Sequence, residues 1–286
     1  MTVNIDEKAG FCFGVTNAIS KAETEIAKSG RLLCLGEMVH NQEETSRLEK
    51  LGMKTVSYKE FMTLRDCTVL IRAHGEPPQT YMIARKNNVS LIDATCPIVL
   101  RLHKIIYQNS TENPDYQTVI FGKKDHAEVV GLMGQVNGKV VVISDESEIN
   151  QIDFTKSIFL YSQTTMNASS YEKIAAEIEN RLREISPEKV FKKFSTVCQS
   201  VSNREKTLAE YASKFDAVLF VAGRNSSNGK YLYSTCKAAN ARTYYIANEN
   251  DITSKMLSGV GHLGITGATS TPKWLLMHIK EYVSQF

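Results

Sequence analysis

The sequence lacks the features that would place a protein in a membrane or direct it out of the cell. No apolar run approaches the roughly 20 residues that a membrane-spanning helix needs. Residues 1–7 have neither the basic start nor the apolar stretch of a secretory signal peptide. We therefore expect a cytoplasmic protein without a membrane partner, in which the thiols stay reduced and no disulfide framework forms.

Two further absences concern binding partners and domain linkers. The net charge is only +3, so the concentrated basic charge that is typical of nucleic-acid binding is missing. This mild positive charge suits a small anionic ligand or an acidic protein partner instead. No low-complexity segment and no linker rich in Pro, Gly or Ser divides the chain. Domain boundaries must therefore be inferred from internal repetition.

Short β-rich runs alternate with amphipathic helical stretches along the whole chain, which predicts α/β units with parallel strands. The predicted strands are 31–35, 68–72, 90–92, 117–121, 139–143, 157–161, 190–194, 217–221, 243–246 and 262–266. The predicted helices are 15–28, 42–50, 97–109, 168–184, 201–213, 230–239 and 272–283. Because 286 residues exceed what one core normally serves, we expect more than one domain.

A threefold pattern runs through these elements. Three cysteines stand in turns that precede predicted helices, and they are Cys12, Cys96 and Cys198. A polar turn after a strand follows 28, 30 and 28 residues later, at His40, His126 and Ser226. A second polar turn follows 62, 68 and 72 residues after the same cysteines, at His74, Thr164 and Ser270. Two sets of matching offsets indicate three related units.

The pattern predicts the domain organisation and the place of the site. We expect three related small α/β units around a pseudo-threefold axis, with boundaries 13–96, 97–193 and 194–286, and with residues 1–12 associated with the third unit. In parallel α/β sheets, ligands bind beyond the carboxyl ends of the strands. All six polar turns lie at such ends, so the turns and the three cysteines are predicted to line one central cleft.

The spacing of the cysteines indicates which metal chemistry they could support. Cys12, Cys96 and Cys198 are too far apart for a zinc ribbon or a ferredoxin motif, which have closely spaced cysteines. A cubane iron–sulfur cluster held by three cysteines leaves one iron open to substrate, which can act as a Lewis acid while the cluster delivers electrons. Helix starts favour the thiolate at these positions. The remaining cysteines are expected to be small buried hydrophobic residues, and they are Cys34, Cys67 and Cys236.

Other polar residues at the predicted strand ends have two interpretations each. A lone histidine is more often structural, but three of the six histidines fall at these ends and could contact phosphate: His40, His74 and His126. The run NSSNG at 225–229 and Ser270 each precede or open a helix, so they are either helix caps or an anion site. Glu128 either stabilises a helix start or acts as a general acid.

Six motifs, taken together, resemble one family over the whole chain. They are GFCFGV at 10–15, VHN at 39–41, AHG at 73–75, DATCP at 93–97, QTT at 163–165 and NSSN at 225–228. In this order they resemble the 4-hydroxy-3-methylbut-2-enyl diphosphate reductase (LytB-type) family. The resemblance implies the last step of the non-mevalonate isoprenoid route, a two-electron reduction that removes the substrate's hydroxyl and gives isopentenyl and dimethylallyl diphosphate.

The resemblance also implies roles for matching residues. A [4Fe–4S] cluster with one iron not ligated by protein would be held by Cys12, Cys96 and Cys198. The diphosphate would be held by His40, His74, His126, Ser226, Ser227, Asn228 and Ser270. Thr164 would lie near the substrate hydroxyl, and Glu128 would supply protons. The electron donor would be ferredoxin or flavodoxin.

Two motifs depart from the family pattern. Ala127 stands where the family commonly has proline, and residues 267–272 read GATSTP where we expect AGASTP, so Thr269 could share or replace the role of Ser270. From the residues alone, two other functions stay open: a non-redox iron–sulfur hydro-lyase and an iron–sulfur redox sensor without turnover. A thiol redox protein is less favoured, because the chain has no Cys-x-x-Cys pair.

Overall fold

The structure is a computed structural model that describes residues 1–285. The described chain contains three parallel four-stranded sheets flanked by helices. The strands are β1 (Thr2–Ile5), β2 (Leu32–Leu35), β3 (Met53–Val56), β4 (Thr68–Ile71), β5 (Ser90–Asp93), β6 (Gln117–Phe121), β7 (Val140–Ile143), β8 (Ile158–Ser162), β9 (Phe191–Lys193), β10 (Ala217–Val221), β11 (Thr243–Ile246) and β12 (His262–Gly267). The predicted α/β class with parallel sheets is confirmed.

The helices alternate with these strands. They are α1 (Phe13–Ser29), α2 (Gln42–Leu51), α3 (Tyr58–Phe61), α4 (Pro78–Lys86), α5 (Pro97–Glu112), α6 (Ala127–Met133), α7 (Ala168–Ile185), α8 (Gln199–Ala212), α9 (Ser227–Ala239), α10 (Ser254–Leu257) and α11 (Lys273–Val283). Two short 3₁₀ helices span Glu146–Gln151 and Glu249–Asp251. Within the described residues, no helix combines the length and the apolar character needed to span a membrane.

Two compact units divide the described chain, and the first comprises residues 1–57 and the residues from Gln199 onward. Its complete sheet has the strand order β1-β12-β10-β11, and β2 pairs in parallel with β3. All five residues of β10 are buried, as expected for a parallel strand covered on both faces. The amino-terminal strand β1 pairs with β12 in the register Thr2↔His262. The first residues of the chain therefore extend the sheet built by its last residues.

The second unit comprises residues 58–198. Its complete sheet has the strand order β7-β6-β8-β9, and β4 pairs in parallel with β5. The central strands β6 and β8 are buried at every position. Apolar side chains of α7, such as Tyr171 and Ile178, pack on one face of this sheet together with Leu160. Side chains of α5 and α6, such as Ile106 and Leu132, pack with Phe159 and Tyr161 of β8 in a second cluster.

Several helices begin directly after a turn at the carboxyl end of a strand. Cys12 and Cys96 are the N-cap residues of α1 and α5, and Pro97 provides the first residue of α5, where its missing N–H costs nothing. His126 and Ser226 are the N-cap residues of α6 and α9. Two of the six predicted polar turns therefore place a helix N-cap at the position singled out in the sequence, and the N–H groups of the first turn of each helix lack partners within the helix.

Some short elements are absent from the sequence-based expectations. The strands β1 and β3 and the helices α3, α4, α6 and α10 were not predicted. α4 follows Pro77 and begins at Pro78, a pair that also occurs in turns, and α6 has only seven residues, too few for a helical period. The boundaries 13–96, 97–193 and 194–286 stay a prediction, as does the pseudo-threefold axis.

Candidate functional site

The backbones of the three cysteines of the threefold pattern are held in the same way. In each case the cysteine N–H donates a hydrogen bond to a carbonyl in one of the second polar turns. These bonds run from Cys12 to Thr269 (3.1 Å), from Cys96 to Ala73 (3.0 Å) and from Cys198 to Thr164 (2.8 Å). The repetition seen as sequence offsets is thus also a repetition of backbone contacts, although residue identity between the repeats is low.

The side chains of these cysteines differ from those of the other three. Cys12, Cys96 and Cys198 are partly exposed, and each immediately precedes a helix. Cys34 and Cys236 are fully buried. Burial raises the pKa of the Cys236 thiol, which makes that thiol unreactive. The expectation that these two are buried hydrophobic residues is therefore in accord with their packing.

Cys67 differs from the metal candidates by its place along a strand. It is partly exposed, so the expectation that it is buried is wrong. It precedes Thr68 at the amino end of β4, where its carbonyl accepts a bond from the N–H of Ser90 (2.8 Å). Ligand sites of parallel sheets lie at the opposite, carboxyl end. None of the six cysteines forms a disulfide. The three thiols at helix starts thus fit the donor set of an iron–sulfur cluster, since thiolate is its usual ligand.

The most ordered polar contact of the second unit joins Glu128 and Thr164. The Thr164 N–H donates to Glu128 Oε1 at 2.6 Å, and the Thr164 hydroxyl donates to Oε2 at 2.8 Å. The Glu128 side chain is buried, with the residue only 2% exposed. Burial raises the pKa of Glu128 to about 7, and the two bonds from Thr164 oppose this rise. This carboxyl can therefore hold a transferable proton near neutral pH.

His126 lies next to this carboxyl in sequence and caps its helix. The Glu128 N–H donates to His126 Nδ1 at 3.2 Å. A ring nitrogen that accepts a hydrogen bond carries no proton, so Nε2 is the protonated nitrogen of the neutral ring. The His126 ring meets the His74 ring edge to face, with centroids 5.4 Å apart. The structure thus brings together two of the three predicted phosphate-contacting histidines.

A close approach of two turns fixes the position of Thr164. The Lys123 N–H donates to Gln163 Oε1 at 3.1 Å. A Cβ on the neighbouring Gly122 would lie 2.9 Å from the Gln163 Cβ and 2.8 Å from a methyl of Val129. Only glycine therefore lets the turn after β6 contact the turn after β8. This contact holds the backbone that binds Glu128.

In the first unit, two serine and threonine turns meet at the starts of α9 and α11. The hydroxyls of Ser226 and Ser270 lie 3.3 Å apart, and the Asn228 Nδ2 donates to Thr269 Oγ1 at 2.6 Å. Asn228 Oδ1 is buried and has no hydrogen-bond partner among the described residues. Ser227 is the first residue of α9. Hydroxyls, an amide with an unused polar atom and helix-start N–H groups form an arrangement that suits an anion.

Thr269 and Ser270 have different partners in this arrangement. Thr269 bonds Asn228 through its hydroxyl and Cys12 through its carbonyl, whereas Ser270 approaches Ser226. The structure therefore gives Thr269 a positioning contact of its own. Whether it shares the role of Ser270 stays a prediction.

The turn that contains His40 also belongs to the first unit and packs against the turn after β10. A Cβ on Gly223 would lie 2.1 Å from the His40 carbonyl oxygen, so the two backbones touch at a point where only glycine fits. His40 Nδ1 lies 3.2 Å from Glu37 Oε2. A cavity of about 240 Å³ beside these turns is lined by His40, Asn225 and neighbouring residues. The structure therefore places the His40 turn beside the turn that precedes Ser226.

One buried histidine was missed by the sequence reasoning. His103 lies on α5 and is packed so tightly that a Cβ on Gly75 would lie 2.7 Å from its Cε1 and a Cβ on Gly131 would lie 3.3 Å from its Nε2. Burial lowers the pKa of His103 to about 4, so it is neutral at physiological pH. The His103 ring packs against Gly75, in the turn that contains His74, and against Gly131 of α6, the helix that carries Glu128. Its position seven residues after Cys96, two helical turns along one face, was the available signal.

A buried ion pair of the first unit was also missed. Arg204 on α8 contacts Asp6 Oδ2 at 2.6 Å and also bonds the Thr266 hydroxyl, which itself donates to Asp6 Oδ2 at 2.9 Å. Arg204 and Asp6 are each at least nine-tenths buried. Asp6 follows β1 and Thr266 lies in β12. The network therefore joins the sheet that contains these strands to α8, the helix that begins directly after Cys198. Single charged residues so far apart in sequence give no local signal of such a pairing.

Comparisons with known proteins agree over the whole chain. A family model described as LytB protein matches residues 3–284. A protein of Phocaeicola vulgatus named 4-hydroxy-3-methylbut-2-enyl diphosphate reductase is 49% identical, and the match covers 99% of this chain and 98% of that protein. A protein of the same name from Bacteroides thetaiotaomicron is 48% identical over 98% of this chain and 97% of that protein.

Solved structures give the same result for the fold. The structure of (E)-4-hydroxy-3-methyl-but-2-enyl diphosphate reductase, described as the terminal enzyme of the non-mevalonate pathway, matches with a TM-score of 0.74 and 32% identity over all of both chains. A Plasmodium falciparum reductase structure matches with a TM-score of 0.82 over 99% of this chain and 87% of that one, at 24% identity. The second match is evidence for the fold alone.

Proposed function

The chain belongs to the LytB protein family, and from this membership we propose that it is an iron–sulfur enzyme that reduces 4-hydroxy-3-methylbut-2-enyl diphosphate. The observation that carries the proposal is 49% identity to a reductase of that name over nearly the full length of both proteins. We place the reaction as the terminal step of the non-mevalonate route and the protein in the cytoplasm. Ferredoxin or flavodoxin is the proposed electron donor.

The proposed reaction is balanced by two electrons and two protons. The carbon–oxygen bond of the allylic alcohol breaks, the oxygen leaves as water, and one proton forms a new carbon–hydrogen bond. The products are isopentenyl and dimethylallyl diphosphate. The protein must therefore bind a diphosphate, pass two electrons and deliver protons inside a closed site.

We assign the cluster to Cys12, Cys96 and Cys198, as a [4Fe–4S] cluster with one iron not ligated by protein. Such a cluster supplies electrons one at a time and a Lewis-acidic position for the substrate oxygen. The support in this chain is the shared backbone bond of the three cysteines and the helix that follows each of them.

The proposed diphosphate site uses neutral donors and histidines. It comprises His40, His74, His126, Ser226, Ser227, Asn228 and Ser270. Ser226 and Ser270 already lie within 3.3 Å of each other, so one phosphate oxygen could accept from both hydroxyls. A half-turn of the Asn228 amide would direct its Nδ2 toward the space that its unpartnered Oδ1 now faces. His126, protonated on Nε2, offers a further donor.

The proposed proton donor is Glu128, with Thr164 beside the substrate hydroxyl. A buried carboxyl whose pKa is about 7 holds a proton at neutral pH and can release it without a large penalty. The Thr164 hydroxyl donates to Glu128, so it can orient the carboxyl and accept from a ligand hydroxyl at once. Proton delivery and substrate orientation would then depend on one pair of side chains.

A decisive experiment uses anaerobically purified protein. We expect about four irons and four acid-labile sulfides per chain, a paramagnetic resonance signal after reduction, and turnover of the allylic diphosphate with reduced methyl viologen. A hydro-lyase would turn over without the reduced mediator. A redox sensor would hold the cluster but would not oxidise the mediator when substrate is added. Either result would overturn the proposed reduction.

A further inference from the structure

An aromatic side chain stands exposed beside one of the proposed cluster ligands. Phe13 is 73% exposed, the highest value among the large hydrophobic residues that the structure describes, and it directly follows Cys12. Burial of such a side chain would stabilise the protein, so its exposure is unfavourable. Exposed aromatic residues are enriched at the centres of protein–protein interfaces.

Lysines lie close to the same segment. Lys8 and Lys206 line one open cavity of about 450 Å³ together with the buried Arg204. The other lining residues carry hydroxyl or amide groups, and they are Ser200, Asn203 and Thr207. Within the described chain no carboxylate lines this cavity, but Lys8 and Thr207 also line a neighbouring cavity that contains Asp6, Glu7 and Glu210. Among the described residues, neither Lys8 nor Lys206 forms an ion pair.

A third lysine packs along the segment that leads to Cys12. A Cβ on Gly10 would lie 3.2 Å from Cγ and 3.3 Å from Cε of Lys273. The aliphatic stem of Lys273 therefore covers Gly10, while its residue is exposed and its ammonium group is in no ion pair of the described chain. Long lysine stems commonly pack in this way and leave the charge in water.

Covalent geometry alone keeps these groups near two proposed cluster ligands. A chain spans at most about 3.6 Å per residue, so the Cα of Lys8 lies within about 14 Å of the Cα of Cys12. By the same limit the Cα of Ser200, in the lysine-lined cavity, lies within about 7 Å of the Cα of Cys198. The cationic residues are therefore close to the groups through which electrons would enter.

We propose that Phe13, Lys8, Lys206 and Lys273 form a docking surface for a small acidic electron-transfer protein. This inference rests on the proposed function, because a reductase must receive its electrons from a donor. An exposed aromatic flanked by unpaired cations is complementary to an acidic protein that has an apolar contact around its own redox centre. Each docked, reduced partner gives one electron and leaves oxidised, so two encounters supply one turnover.

The charges would act mainly on the rate of encounter. Exposed lysines attract an acidic partner over about 10 Å at moderate ionic strength, and salt screens this attraction. Reversing their charge should therefore slow association and remove its salt dependence. Phe13, in contrast, should affect how long the complex lasts, since apolar contacts at an interface centre act mostly on dissociation.

The test compares a charge-reversed variant with a matched control. The variant carries Lys8→Glu, Lys206→Glu and Lys273→Glu, and a second variant carries Phe13→Ser. The controls are Lys173→Glu, an exposed lysine of α7 in the second unit, and Met82→Ser, an exposed apolar residue of α4. The probe is an acidic plant-type [2Fe–2S] ferredoxin, used oxidised for calorimetric binding and reduced for turnover.

We expect the ferredoxin to bind each variant on the order of tenfold more weakly than the wild type, with no change in the controls. Turnover at limiting ferredoxin should fall in parallel, while turnover with reduced methyl viologen should stay unchanged. A triple Lys→Arg variant keeps the charge and should bind as the wild type does.

Three results decide against the docking surface: wild-type affinity in both variants, equal binding of a basic redox protein, or no binding to the wild type at low salt. A different result decides against the proposed function, namely no turnover of the wild type with methyl viologen. The binding measurement remains valid in that case, so the two failures are distinguishable.

Discussion

The two compact units carry polar side chains of different character. In the first unit, Ser226 and Ser270 share a single contact of 3.3 Å, and a polar atom of Asn228 has no partner among the described residues. In the second unit, Glu128 is buried and accepts two bonds from Thr164. Loosely paired hydroxyls can exchange their partners for ligand oxygens, whereas a fixed buried carboxyl with a pKa of about 7 can exchange a proton near neutral pH. The first arrangement suits binding, and the second suits proton transfer.

The largest expected effect comes from removing a ligand of the proposed cluster. Cys12→Ser, Cys96→Ser and Cys198→Ser should each abolish the cluster and the activity, because a hydroxyl is a much poorer iron ligand than a thiolate. Iron and sulfide analysis of the anaerobically purified variants measures this. Cys34→Ala, Cys67→Ala and Cys236→Ala are the controls, with stability losses on the order of 1 kcal/mol for small cavities. Normal cluster content in Cys96→Ser would sink the assignment.

A second prediction tests whether Glu128, in the second unit, supplies the proton. Glu128→Gln keeps the shape of the side chain but removes its transferable proton, so kcat should fall by about 10²-fold or more. Binding of the diphosphate should be nearly unchanged, which equilibrium dialysis can measure on the same sample. Glu179→Gln, at a half-exposed position of α7, serves as the control. If the dissociation constant rises while kcat is retained, Glu128 is a binding residue and the contrast between the units is wrong.

A third prediction tests whether Ser226 and Asn228, in the first unit, bind the diphosphate. The double change Ser226→Ala and Asn228→Ala should weaken diphosphate binding by at least about tenfold, because each hydrogen bond to a charged group contributes about 1.5–3 kcal/mol. The cluster content should be normal. Ser226 also caps α9, so a modest fall in Tm is expected. Ser234→Ala, on the exposed face of the same helix, is the matched control. An unchanged affinity would mean that the two residues only cap the helix.

The smallest expected effect is a dependence on pH. The Glu128 pKa is raised from 4.5 to about 7 in the folded protein, so kcat should fall as the pH rises through about 7. The unfolded carboxyl ionises first, so this group should lose its contribution to stability between pH 4.5 and about 7. Glu128→Gln should remove that part of the pH dependence in chemical denaturation. Identical pH profiles for both proteins would show that the carboxyl is not buried in solution.

Long buried strands and most edge strands, such as β7 and β11, could be predicted from the sequence, whereas the edge strand β1 could not. The apolar run of β10 predicts a covered parallel strand, and the structure places Ala217–Val221 there. β1 alternates exposed and half-exposed residues and pairs only with β12, so its stability comes from a partner about 260 residues away. Local periodicity cannot detect such a pairing, because the stabilising contacts are not local.

The order of the residues alone specifies which side chains stand at the turns, since strand ends and helix starts are set by local residue chemistry. Cys12, Cys96 and Cys198 were recognised as a set in this way. Only the tertiary structure decided the protonation of Glu128, whose partner Thr164 is 36 residues away, and that of His103. The physical reason is that a pKa depends on burial and on neighbours that the fold brings close, and neither is recorded in the order of the residues.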